Sequence, residues 1–214
     1  MKARLIIFVR APREGDVKTR LAGMIGSKGA LEAYKRLVHH LFNNLAALRN
    51  VELRFTPDDA GSEISSWLRS GWGLRPQGDG DLGSRLTRAF QETFDEGCER
   101  VVIIGSDCPA VEADDIEAGW AALAEEDVVV GPAQDGGYWL IGLRQTKADL
   151  FQDVAWGTAK VLETTLRRIH ANGLTVRCLQ ILADIDTVHD WQEYLAAEKD
   201  TPCGVAANRT ESAL

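Results

Sequence analysis

The sequence predicts an α/β fold, a mostly parallel sheet with helices on both faces. Three observations predict it. Strand-like and helix-like stretches alternate along the chain. The strand candidates at 5–9, 101–104 and 128–130 are continuous, largely β-branched apolar runs, the habit of strands buried on both faces. No low-complexity linker or internal repeat interrupts them, so the 214 residues read as one domain over 1–199 and a loose tail over 200–214.

Leu5-Ile6-Ile7-Phe8-Val9 is the first strand, too short for a signal core or a membrane span. Residues 10–20 form a loop carrying Pro12 and Gly15. Ser27 then caps a long helix to about Arg49, with Leu31, Tyr34, Leu37, Val38, Leu41, Leu45 and Leu48 at helical spacing. A strand is expected over 51–56 and a short helix over 63–69. Residues 71–83 are rich in glycine, contain Pro76 and read as loop with at most a short strand. Residues 82–96 read as a helix closed by Gly97, and the apolar run at 101–104 follows it. A helix over 116–125 and a buried strand over 127–131 come next. The strand at 138–143 has the position of an antiparallel addition. Thr158 caps a helix to about Asn172, a strand covers 174–182, and a last helix runs to about Glu198.

Composition narrows the function classes. The four cysteines, Cys98, Cys108, Cys178 and Cys203, form no Cys-x-x-Cys pair, and the four histidines form no His-x-x-x-His pair. Neither a zinc site nor a disulfide framework is suggested, which fits a reducing, cytoplasmic setting. A formal charge of −8 disfavours a nucleic-acid binder, and no apolar run approaches membrane length. The cations are nevertheless uneven. Lys2, Arg4, Arg10, Arg13, Lys18 and Arg20 crowd the first twenty residues against only Glu14 and Asp16. A basic loop in an acidic protein points to a small anionic ligand.

The chemistry-bearing residues fall at expected strand ends, where open α/β sheets bind ligands. Asp107 follows the run at 101–104 in Gly105-Ser106-Asp107-Cys108-Pro109; Asp114 and Asp115 are better placed to cap the next helix. Asp184 and Asp186 are two apart, so an extended backbone points them to one side. Carboxylates gathered this way call for a hard cation, Mg2+ or Mn2+. The plainer alternative has Asp186 capping the final helix. Arg13, Lys18 and Arg20 suit a phosphate, Arg through forked hydrogen bonds and Lys as a point charge. Asp135-Gly136-Gly137-Tyr138 either brings backbone N–H groups to a ligand or makes an ordinary hairpin. Cys108 is a poor nucleophile, because a neighbouring anion raises a thiol's pKa. Trp156-Gly157-Thr158 is read as a buried anchor.

Gly78-Asp79-Gly80-Asp81-Leu82-Gly83 matches the dinucleotide-binding pattern by letter. Physics argues against that reading. Trp72-Gly73-Leu74-Arg75-Pro76 is a poor preceding strand, and two aspartates would repel a pyrophosphate at a helix N-terminus. A basic loop, an acid cluster and a glycine turn together suggest instead the transfer of a group from a nucleoside phosphate. Such a displacement needs positioning and electrostatics rather than a Ser/His/Asp set.

The stretches Phe8-Val9-Arg10-Ala11-Pro12, Val17-Lys18-Thr19-Arg20-Leu21, Ile104-Gly105-Ser106-Asp107-Cys108-Pro109, Gly131-Pro132-Ala133-Gln134-Asp135-Gly136-Gly137-Tyr138-Trp139 and Asp184-Ile185-Asp186-Thr187 carry a resemblance. In this order they resemble a bacterial family of glycosyltransferase-like proteins, named mainly for an association with radical-SAM and selenium-related domains. That family belongs to the nucleotide-diphospho-sugar transferase (GT-A) superfamily, and the match spans about residues 3–198. More distant relatives are the phospholactate and molybdenum-cofactor guanylyltransferases and the sugar cytidylyltransferases. The resemblance implies a three-layer, Rossmann-like α/β/α fold. It makes Asp107 the metal-binding acid after the central strand, with Asp184 and Asp186 completing the site. Lys18 would match the lysine that ends the nucleotidyltransferase signature loop, and Gly80, Asp81, Leu82, Gly83 and Arg85 would hold the base. The signature's Gly-x-Gly is missing here: Arg10, Pro12 and Arg13 stand in that loop with only Gly15.

The sequence thus leads to a divalent-metal-dependent transferase with Lys18 and Asp107 as catalytic groups. Its partners are a nucleotide or nucleotide-sugar donor and a small acceptor held near Asp135, Gly136, Gly137 and Tyr138. Glycosyl transfer leads, nucleotidyl transfer with release of pyrophosphate is the alternative, and a non-catalytic nucleotide-binding module is a second alternative.

Overall fold

A computed structural model describes residues 2–200. The expected tail from 201 onward lies outside the described residues. The elements follow the order β1 (Ala3–Arg10), α1 (Thr19–Asn44), β2 (Val51–Thr56), α2 (Gly61–Ser65), β3 (Gly73–Pro76), α3 (Leu82–Asp95), β4 (Arg100–Ile104), α4 (Ala113–Ala122), β5 (Val128–Pro132), β6 (Tyr138–Leu143), α5 (Val161–Ala171), β7 (Val176–Cys178) and α6 (Val188–Asp200), with a 3-10 turn at Ala148–Leu150. Seven strands form one sheet in the order β3-β2-β1-β4-β6-β5-β7. All neighbours are parallel except β6, which runs antiparallel to both β4 and β5. The expected α/β class, parallel habit and antiparallel β6 all hold.

Side-chain alternation explains the two cores. Leu5, Ile7 and Val9 of β1 and Val102 and Ile104 of β4 face the layer containing α1, α2 and α4. Ile6 of β1 and Val101 and Ile103 of β4 face α3 and α5, through Leu86, Phe90 and Ile169. Strands buried on both faces have no room for a polar alternate, so these stretches read as unbroken apolar runs.

Several boundaries differ from expectation. The first long helix starts at Thr19 and is broken at Gly26, whose φ of 75° and ψ of 159° leave the helical region. Ser27 therefore begins a second segment rather than the whole helix, which ends at Asn44 and not at Arg49. The stretch from 45 to 49 is turn, yet Leu45 and Leu48 stay buried. The expected strand over 174–182 shrinks to Val176–Cys178 plus one bridge between Ala133 and Leu182. Glycine-rich 71–83 contributes the short edge strand β3.

Candidate active site

Three chain segments converge where β1 and β4 end, and Lys18 ties them together. Its backbone adopts a left-handed conformation, φ 47° and ψ 46°, immediately before α1. That turns the side chain inward until only 3 % of it is exposed. Lys18 Nζ lies 2.6 Å from Asp107 Oδ1 and 2.8 Å from Asp186 Oδ1, and donates to the Ile185 carbonyl at 2.6 Å. Ile185 N in turn donates to the Asp107 carbonyl at 3.0 Å. Burial by itself would lower the lysine's pKa; Asp107 and Asp186 outweigh it, and the group is held above its ordinary value.

Asp186 is free for this pairing because another residue caps the last helix. Asp190 Oδ2 accepts from Thr187 N at 2.6 Å and Asp186 N at 3.0 Å, while Thr187 Oγ1 accepts from Asp190 N at 3.2 Å. This reciprocal box satisfies the first turn of α6, so Asp186 is not spent as the cap.

Asp184 completes the group. It makes no hydrogen bond or salt bridge among the described residues, and its pKa is pushed up to about 7 by burial first, then by Asp107, Asp135 and Asp186. Asp107, Asp184 and Asp186 are near enough to act on one another electrostatically. They are not, however, a ready ligand set: among the described residues no three His, Cys, Asp or Glu side chains are arranged to hold a metal. The Lys18 ammonium stands between Asp107 and Asp186 where a bound cation was expected. The donor chemistry still fits a hard divalent ion. Two of the three carboxylates share one ammonium, and a second cation, Arg20, approaches Asp186 only to 3.9 Å.

A cleft of about 580 Å3 opens in front of these groups, and Arg10, Lys18, Arg20, Arg85, Asp107 and Asp186 reach its wall. Arg10 and Arg85 form no salt bridge among the described residues. Arg85 Nε donates to the Gly80 carbonyl at 2.9 Å, and Arg10 reaches only the Asp16 carbonyl, at 3.4 Å. The end of β1 is fixed by Tyr34, whose hydroxyl accepts from Arg10 N at 2.9 Å and donates to the Arg10 carbonyl at 3.0 Å. Burial pushes the Tyr34 phenol up to about 12, so it serves as a neutral strut. From the sequence neither Arg10 nor Tyr34 takes a role of its own: the first is one cation of the basic loop and the second one member of a helical stripe. Tyr34 is hidden within an apolar helical stripe, whereas Arg10, the last residue of β1, has the same strand-end position that drew attention to Asp107.

Three expected site groups are corrected. Arg13 turns away from the cleft, and its guanidinium pairs with Glu63 at 2.6 Å and Asp59 at 3.1 Å. Gly83 is buried on the far side of α3 against the Phe151 carbonyl, where any Cβ would collide with backbone. Both glycine N–H groups of the turn at 135–137 are already engaged, Gly136 N donating to the Ala133 carbonyl and Gly137 N to Asp135 Oδ1 at 2.8 Å. Gly136 is needed there for its φ of 86° and its contact with Ala159. The hairpin reading of that stretch wins. Gly80, Asp81 and Leu82 do line the cleft, and Asp81 also caps α3 by accepting from Ser84 N at 2.9 Å. Cys108 is a buried thiol with its pKa pushed up to about 12, burial contributing more than the neighbouring acids.

Comparison with known proteins follows the same lines. Over 94 % of its length the chain superposes on 90 % of a candidate nucleotide-diphospho-sugar transferase from Desulfovibrio desulfuricans G20, with a TM-score of 0.87 and 33 % identity. It is 27 % identical over 191 residues to a phosphoenolpyruvate guanylyltransferase of Chloroflexus aggregans, covering 85 % of this chain and 92 % of that one. The fold recurs in a CMP:2-keto-3-deoxy-manno-octonic acid synthetase complexed with CTP, at a TM-score of 0.58 and 9 % identity over 93 % of this chain and all of that one. It recurs also in the Mycobacterium tuberculosis H37Rv protein Rv0371C complexed with manganese, at 0.53 and 15 % over 92 % of this chain and all of that one.

Fold, cleft and relatives define a transferase enzyme of the nucleotidyltransferase or nucleotide-sugar transferase kind. The chain belongs to the bacterial family described as "Uncharacterized protein conserved in bacteria (DUF2064)", whose profile matches residues 43–158. Among the described residues no helix is long and apolar enough to cross a membrane.

Proposed function

We propose that residues 1–199 form a small-molecule nucleotidyltransferase domain that takes a nucleoside triphosphate and releases pyrophosphate. The observation that carries this reading is the cationic wall of the cleft: Arg10 and Arg85 line it and, among the described residues, form no salt bridge, opposite Asp107 and Asp186. A triphosphate is the donor that such a pair of cations would orient, by forked hydrogen bonds to its oxygens. The guanylyltransferase relative, matched over 92 % of its length, supports the same reaction class.

Within this reading Arg10 and Arg85 bind and align the phosphates, and Arg20, at the open rim, offsets charge on the departing pyrophosphate. Gly80, Asp81 and Leu82 border the base and ribose. Asp107, Asp184 and Asp186 would hold Mg2+ or Mn2+, which when bound supplies Lewis-acid stabilisation to the phosphate being attacked. Lys18 keeps Asp107 and Asp186 oriented and their mutual repulsion low.

Glycosyl transfer from a nucleotide sugar is the second reading, favoured by the 33 % identical relative with its nucleotide-diphospho-sugar transferase description. Phosphorus NMR of a turnover mixture separates the two, since pyrophosphate appears in one and a nucleoside diphosphate in the other. The shared core of both is tested by Asp107→Ala. Calorimetry should show manganese-dependent nucleotide binding lost in a variant that still melts cooperatively; unchanged affinity would remove Asp107 from the site.

A further inference from the structure

The cleft continues past Asp107 into a second compartment of about 200 Å3, lined by Phe8, Leu86, Ile103, Trp139, Ile141 and Asp184 among others. Phe8, Leu82, Gly105 and Asp107 belong to both spaces, so the two meet at the carboxylate that faces the phosphates. Their chemistry differs sharply. Four cations line the larger space, and among the described residues no Lys, Arg or His lines the smaller one. The polar side chains among its lining residues are Asp107, Asp184, the neutral Cys108 thiol, Tyr138, and Trp139, whose indole N–H is already given to the Gln180 carbonyl. Leu82, on the shared edge, remains 41 % exposed, an apolar side chain left for a ligand to cover.

We infer that the acceptor is a small alcohol with an apolar body and no negative charge, bound in this compartment with its hydroxyl toward Asp107. The inference rests on the transferase reading above and deepens it. An acceptor bearing a carboxylate or phosphate would lose its hydration in an apolar space where, among the described residues, no cationic side chain pairs with it, and in the metal-free protein the carboxylates at the wall oppose it further. The volume also limits size: at about 30 Å3 per water, 200 Å3 displaces about seven waters, so one ring or a short branched chain fills it. In the reaction the acceptor oxygen forms a bond to the α-phosphorus, the bond from that phosphorus to the bridging oxygen breaks, and pyrophosphate leaves with the bonding pair. The hydroxyl proton passes to a carboxylate at the mouth or to solvent.

Benzyl alcohol, 4-(hydroxymethyl)benzoate and 4-(aminomethyl)benzyl alcohol share one skeleton and differ in charge. Ligand-observed NMR on the full chain, with manganese absent, should rank the neutral and cationic probes at least about tenfold tighter than the carboxylate. The neutral probe should also quench Trp139 emission. Asp184→Asn should narrow the ratio between the neutral and carboxylate probes while keeping the neutral probe bound, an effect that a merely structural role would not produce. Equal or tighter binding of the carboxylate, or no binding of benzyl alcohol by protein that binds nucleotide, overturns the inference. Failure of every nucleoside triphosphate and nucleotide sugar to bind in a parallel thermal-shift panel would sink the transferase reading instead, so the two failures are distinct.

Discussion

Two clusters of buried charge lie on this one sheet, and they are built to opposite rules. Beneath α3, Arg54 is fully enclosed and pairs with Glu52 at 2.7 Å and Glu92 at 2.6 Å. Arg4 and Arg75 extend the cluster to Glu96, at 3.0 and 2.6 Å. Three arginines face three glutamates, and the network is neutral. At the strand ends one lysine faces Asp107, Asp184 and Asp186, with Asp135 near enough to raise the Asp184 pKa further. The first cluster balances its charges internally, although Arg54 Nη2 has no hydrogen-bond partner among the described residues. The second holds surplus anion against an open cleft. Burial alone therefore does not mark the working cluster; imbalance beside solvent does.

The largest expected effect comes from breaking the balanced cluster. Arg54→Met leaves Glu52, 5 % exposed, facing only Arg4 at 3.2 Å and Arg75 at 3.8 Å. Removing one partner of a buried network costs about 3 kcal/mol or more. Urea unfolding should show that loss, with nucleotide affinity in the surviving fold unchanged. A variant as stable as the parent would mean that apolar packing of the new side chain offsets the lost ion pairs, so that the network contributes no net stability.

Lys18→Met probes the unbalanced cluster and should cost less, about 2 kcal/mol, because its carboxylate partners are 40 and 46 % exposed and can rehydrate. The sharper readout is the response to manganese. With the ammonium gone, Asp107 and Asp186 lack their counter-ion, so manganese should raise the variant's melting temperature more than the parent's. An equal rise in both would show that the acids do not take the ion.

How much of this was legible in the sequence follows from the range of each interaction. The strands at 5–9, 101–104 and 128–130 were visible because burial on both faces is written into consecutive residues. Lys18 could be suspected as a cation but not as the partner of Asp186, 168 residues away. The stretch Val51-Glu52-Leu53-Arg54-Phe55-Thr56 read correctly as a strand, yet its alternation resembles a half-exposed one. Only the packing of α3 over it shows that Glu52 and Arg54 are inside. The capping box of Thr187 and Asp190 was legible in principle. Overlooking it left Asp186 as a possible cap when it was free for Lys18. The compartment proposed for the acceptor was legible only in part: Tyr138, expected near the acceptor, lies in its wall, but the rest of the lining is gathered from β1, α3, β4, β6 and the segment before α6.

The smallest effect separates two arginines three residues apart in the basic loop. Sequence alone offered Arg13 for the phosphates, whereas the structure satisfies Arg13 with Glu63 and Asp59 and leaves Arg10 at the cleft wall. Arg13 repeats the balanced rule at the surface, and an exposed pair of that kind contributes little to stability. Arg13→Ala should leave nucleotide affinity and the melting curve close to the parent's. Arg10→Ala should weaken triphosphate binding about tenfold, as expected for one charged hydrogen bond, and should flatten the dependence of affinity on salt. Isothermal titration at low and high salt reads both variants in one series. If Arg13→Ala carries the larger loss, the loop must rearrange to release Arg13 from Glu63, and internal balance would no longer mark a cation as structural.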